Sequence, residues 1–73
     1  MKSGYTFVER GQKGSVENGS FEPFDSFERC CTAAKHKISS KPLHLHYIEI
    51  VPCEYDGDRC HPELMTVLKT LKG

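Results

Sequence analysis

The chain has no net charge: ten Lys and Arg stand against ten Asp and Glu over 73 residues. Domains that grip nucleic acid through phosphates carry a strong basic excess, because each such contact is a Lys or Arg contact. Without that excess, direct DNA or RNA binding is not expected. Long apolar runs are missing too. Met1-Lys2-Ser3-Gly4-Tyr5 has no apolar segment behind its charge and does not read as a signal peptide. The most apolar stretch, residues 43–52, is interrupted by His44, His46 and Glu49 and falls far short of the roughly 20 residues a membrane helix needs. No Gly-x-Ser-x-Gly, His-Glu-x-x-His or P-loop string occurs, and no repeat, linker or low-complexity run. A reducing cytosol is then the expected compartment, with the four cysteines as thiols.

Seventy-three residues make one domain, residues 1–73. A chain of this size buries roughly 60% of the surface it exposes when unfolded. Its core supplies about 3–5 kcal/mol unaided. Such a core has little room for a deep substrate pocket. A shallow recognition surface is easier to build, so the expected function is binding rather than catalysis, with no cofactor.

Tyr5-Thr6-Phe7-Val8-Glu9-Arg10 is aromatic and β-branched and predicts a first strand. Residues 11–19, with Gly11, Gly14, Asn18 and Gly19, predict a flexible loop, or a loose hairpin with a short strand around residues 15–21. Phe24-Asp25-Ser26-Phe27-Glu28 opens a helix, with Asp25 as its cap and Glu28 completing a capping-box pattern. Phe27, Cys30, Cys31 and Ala34 follow at helical spacing, and Lys35 and Lys37 suit the negative C-terminal end. Residues 43–51 read as the clearest strand. Its apolar face switches near Tyr47, so either a bulge sits there or the strand is central and covered on both sides. A turn centres on Asp56-Gly57. Pro62 suits the first position of a second helix, with Leu64, Val67, Leu68 and Leu71 as its apolar stripe. The expectation is an α+β two-layer domain in the order β-β-α-β-α, a short antiparallel sheet of two or three strands packed with two helices.

Several constellations carry chemical possibilities. Zinc has candidate ligands in Cys30, Cys53, Cys60 and His61, but paired ligands at Cys-x2-Cys spacing are absent, and six residues separate Cys53 from Cys60. The alternative is that the thiols act as small hydrophobes. Cys53 and Cys60 flank a turn, so their side chains can approach, and a disulfide there needs suitable geometry and an oxidising compartment. His44 and His46 share one strand face, as a metal or pH-sensing pair or as plain surface histidines. Glu54, Asp56 and Asp58, with Tyr55 and Arg59 among them, form either a solvated turn or an acidic epitope for basic residues of a partner. Lys35, His36, Lys37 and Lys41 are either a helix C-terminus or a docking patch. Arg10 joins these groups as a candidate contact. Tyr5, Phe7, Phe21, Phe24 and Tyr55 are the aromatic anchors, and any left exposed is a hot-spot candidate.

The run Pro23-Phe24-Asp25-Ser26-Phe27-Glu28 into a helix, continued as Arg29-Cys30-Cys31, and the segment Leu43-His44-Leu45-His46-Tyr47-Ile48-Glu49-Ile50 resemble those of small lytic-phage proteins that bind host bacterial RNA polymerase. The resemblance extends to length and layout over the whole chain. It implies a monomer in the cytoplasm of an infected bacterium that binds the N-terminal region of the polymerase's largest subunit. It further implies inhibition of initiation by displacing the specificity factor, and promotion of antitermination. Two other readings share the residues: a small zinc-binding module, and an inhibitor of another host enzyme that acts by direct binding.

Overall fold

The Val/Ile-rich run Tyr47–Asp56 (β2) is the centre of the fold in the computed structural model, which describes residues 1–40 and 42–72. On one side it pairs antiparallel with Lys2–Arg10 (β1), in unbroken register from Lys2 opposite Tyr55 to Arg10 opposite Tyr47. On the other side it meets two short strands laid end to end. Arg59–Pro62 (β3) covers residues 53–56, and Lys69–Lys72 (β4) covers residues 47–50. The single helix among the described residues, Phe27–Ser39 (α1), follows β1.

This corrects the expected architecture. Among the described residues the order is β-α-β-β-β, with four antiparallel strands and one helix rather than two helices and two or three strands. The predicted helix from Pro62 is instead the end of β3, a turn, and β4. Its apolar residues have helical spacing, but a helix there leaves the outer edge of β2 with unpaired N–H and C=O groups. Satisfying that backbone outweighs the local pattern. The strand around residues 15–21 reduces to one bridge, Val16 opposite Arg10. The strand predicted over residues 43–51 begins only at Tyr47.

The alternation switch in β2 is resolved in favour of a central strand. Successive side chains of a strand point to opposite faces. Ile48 and Ile50 face α1 and form the core with Cys30, Cys31, Ala34 and Ile38. Tyr5, Phe7, Phe24, Phe27, Leu45 and Leu71 pack around them. Val51 and Cys53 lie on the opposite face of β2 with Thr6 and Val8 of β1, all four buried. Burial contributes about 1.5–3 kcal/mol for each large apolar side chain.

α1 starts one residue later than its sequence pattern suggests. Ser26, not Asp25, caps it, and its hydroxyl accepts the Arg29 N–H at 3.3 Å. Asp25 instead lies 3.9 Å from Arg29 on the surface. The outer edge of β1 is closed by residues 15–24. Tyr5 and Phe24 exchange N–H donations to each other's carbonyls at 2.8 and 2.7 Å. The Asn18 side chain accepts the Glu9 N–H at 2.6 Å and donates to the Phe7 carbonyl at 3.1 Å, standing in for a neighbouring strand. Among the described residues no helix is long and apolar enough to cross a membrane.

Candidate functional site

The antiparallel register carries the N-terminal part of β1, the start of α1 and the β2–β3 hairpin to one end of the domain. Tyr5 lies opposite Pro52, bridges Phe24, and meets the Phe27 ring edge-on at 5.5 Å. Arg10, Tyr47, Lys72 and the C-terminal part of α1 gather at the other end, where Lys37 reaches Glu9 at 4.0 Å. Charge follows this division. Around the hairpin end Asp25, Glu54, Asp56, Asp58 and Glu63 stand with Lys2, Arg29 and Arg59, five acidic against three basic. At the other end Arg10, Lys37 and Lys72 lie with Glu9 and Glu49.

The candidate contact residues therefore fall into two groups that the fold keeps apart. Glu54, Tyr55, Asp56, Asp58 and Arg59 form the hairpin, turned by Gly57 at φ +60°. Its charged side chains are exposed, while Tyr55 lies over Gly4. Beside it is a shallow cavity of about 380 Å³ lined by Tyr5, Asp25, Pro52, Cys53, Glu54 and Glu63. Lys35 and Lys37 are on the last turns of α1, and Lys35 shares a groove with Glu28 and with Lys69 of β4. Lys41 lies outside the described residues. Arg10 is engaged inside the fold: its Nε donates to Glu49 Oε1 at 2.8 Å and its Nη1 to the Gly14 carbonyl at 2.9 Å.

None of the five aromatic anchors is exposed. Phe7 stacks with Phe24 at 6.1 Å, and Tyr5, Phe21 and Tyr55 are half-buried. The exposed large apolar side chains are Met1, Val16 and Leu43, scattered along the chain, and the run of Leu64, Met65, Val67 and Leu68. Helical spacing had suggested that three of these four were core, so the sequence pattern concealed this patch.

All four thiols are free. Burial pushes Cys30 up to about 12, and the charges of Cys31, Cys53, Cys60 and Glu22 act in the same direction. Burial likewise pushes Cys53 up to about 12, helped by its hydrogen bond with Cys60 and by the charge of Cys60. Burial thus favours the neutral thiol at both positions. Among the described residues no three His, Cys, Asp or Glu side chains stand together as a metal site. Strand geometry gives the reason for the zinc candidates: Cys60 and His61 are neighbours in β3 and point to opposite faces. His44 and His46 precede β2 and do not form a strand-face pair; His44 Nε2 instead lies 3.9 Å from Glu9 Oε1. Comparison with protein-family models, curated proteins and solved structures finds no match to this chain.

Proposed function

We propose that this domain acts by binding a protein, and that its acidic hairpin end docks on a basic surface of that partner. The observation that carries the reading is the acidic excess there: five carboxylates, Asp25, Glu54, Asp56, Asp58 and Glu63, against three cations, Lys2, Arg29 and Arg59. Glu54, Asp56 and Asp58 are exposed on a short two-residue-turn hairpin, which holds them at little entropic cost. Complementary charge of this kind steers encounter and fixes orientation. Exposed side chains at 64–68 supply adjoining apolar contact.

Bacterial RNA polymerase is the first partner to test, since the resemblance of residues 23–31 and 43–50 implies it. On that reading the domain works in the cytoplasm of an infected bacterium. There it competes with the specificity factor at the N-terminal region of the largest subunit, lowers initiation and favours antitermination. Competition for part of a site is sufficient, because a ligand shifts an equilibrium by its differential affinity for the two states. Purified chain is expected to co-elute with purified RNA polymerase at micromolar concentration. Absence of association at that concentration overturns the choice of partner.

A further inference from the structure

We propose that Asn18 is a site of self-modification, at which the Gly19 backbone nitrogen displaces the side-chain amide and the carboxylate left behind loosens the outer edge of β1. Asn18 is the chain's only asparagine, and a glycine follows it. Glycine has no Cβ to shield its backbone nitrogen, so that nitrogen can approach a neighbouring carbonyl carbon closely. The space around it is open. Gly19 is exposed, and a Cβ built on it meets nothing within 4 Å. Ser20 is exposed as well, so water reaches the site.

The step needs no co-reactant but water. The Gly19 nitrogen gives up its proton to solvent and bonds to Asn18 Cγ, ammonia leaves, and a cyclic imide closes. Water then opens the ring at either carbonyl. One opening leaves aspartate, and the other leaves isoaspartate, with an extra CH2 in the main chain. One ammonia is lost, one water is gained, and nothing is oxidised or reduced.

The fold restrains this reaction. Asn18 Oδ1 accepts the Glu9 N–H at 2.6 Å, and Nδ2 donates to the Phe7 carbonyl at 3.1 Å. Glu17 N–H donates to the Glu9 carbonyl at 2.8 Å on one side of it, and Thr6 Oγ1 donates to the Glu22 carbonyl at 2.8 Å on the other. While these bonds stand, the Asn18 amide is fixed against β1 and does not swing into line with the Gly19 nitrogen. Reaction therefore proceeds from the fraction of chains in which residues 15–24 have lifted off the strand. Either product replaces the NH2 donor with a carboxylate oxygen. The Phe7 carbonyl then loses its partner and faces a negative charge. The conversion runs one way, so it accumulates with the time the edge has spent open. Its product uncovers backbone groups of the kind that attract a further strand.

This inference does not rest on the proposed partner. The full chain is incubated at mildly alkaline pH, native and in denaturant, and peptide mapping resolves aspartate from isoaspartate at position 18. Conversion is expected in the native chain, at least about tenfold slower than in the unfolded one. Thr6→Val removes the tether to Glu22 without touching Asn18 or Gly19, and is expected to speed native conversion about fivefold, the factor that one hydrogen bond's net contribution represents. Gly19→Ala adds a methyl into open space, and is expected to slow conversion about tenfold in the native and the unfolded chain alike. Hydrogen exchange on the converted chain is expected to show a less protected Glu9 amide. Equal rates in the native and unfolded chains, an aged native chain with Asn18 intact, or a converted chain whose Glu9 amide is as protected as before overturns the inference.

Discussion

The Pro52 carbonyl accepts the Glu63 N–H at 2.9 Å, and Pro52 has no N–H to return. A narrow antiparallel pair normally exchanges both bonds. Here the exchange is half made, and at this point β3 ends and the chain leaves the sheet until Leu68. The gap between β3 and β4 thus traces to one imino acid in the central strand. Pro52→Ala supplies the missing donor. Hydrogen exchange is expected to show a protected amide at position 52, with stability changed by less than about 1.5 kcal/mol. An amide there that exchanges as freely as those of residues 64–67 contradicts this origin for the gap.

Gly4 is the tightest position in β1. A Cβ there meets the Phe24 carbonyl oxygen, and Tyr55 Cε1 lies 2.8 Å away. Gly4→Ala is expected to destabilise the fold by about 1–3 kcal/mol through this overlap. Thermal unfolding reads it as a fall of about 4–8 °C for each kcal/mol. An unchanged melting temperature contradicts the close approach of the Phe24 carbonyl and the Tyr55 ring to Gly4.

Asn18 seals the edge of β1 with a donor and an acceptor on one side chain. Asn18→Ala strands the Glu9 N–H and the Phe7 carbonyl together. The expected cost is about 1–3 kcal/mol, accompanied by faster proteolysis within residues 11–19. Asn18→Asp retains the acceptor alone and is expected to fall between the two. Equal stability of all three chains rules out this role.

The buried thiols set an alkaline limit. Cys30 and Cys53 are held neutral up to about 12, above their ordinary value of 9.0. A raised folded-state value gives stability that is complete below the unfolded value and is lost as pH rises through the folded one. Chemical denaturation is therefore expected to show no thiol-linked change below about pH 8 and a falling stability from about 9 to about 12. The slope is shallower in Cys30→Ala and Cys53→Ala. At neutral pH a thiol reagent modifies half-buried Cys60 first, and Cys30 and Cys53 only as the chain unfolds. Prompt modification of Cys30 in the folded chain contradicts this burial.

The parts of this fold that were legible in the sequence are those dictated by local periodicity. The β-branched run ending at Arg10 is a strand, the stripe of Cys30, Cys31 and Ala34 is the buried face of a helix, and the Asp56-Gly57 turn is a hairpin. The C-terminal segment was misread because Leu64, Val67, Leu68 and Leu71 fit a helical stripe. What decides their fate is the unpaired edge of β2, a long-range demand that no local window contains. Ser26 displaced Asp25 as cap because both are good capping residues and backbone geometry chooses between them. The candidate site was legible as composition but not as arrangement. Glu54, Asp56 and Asp58 were visible as a cluster, yet their distance from Lys35 and Lys37 depends on strand register. A balanced total concealed an acidic hairpin end.

Charge-reversed variants binding to purified RNA polymerase test the central claim most directly, with both ends probed side by side at one ionic strength. Asp56→Lys with Asp58→Lys is expected to weaken binding by about tenfold or more, whereas Lys35→Glu with Lys37→Glu leaves it within about twofold. Loss confined to the lysine variants, or equal loss in both pairs, contradicts docking through the hairpin end.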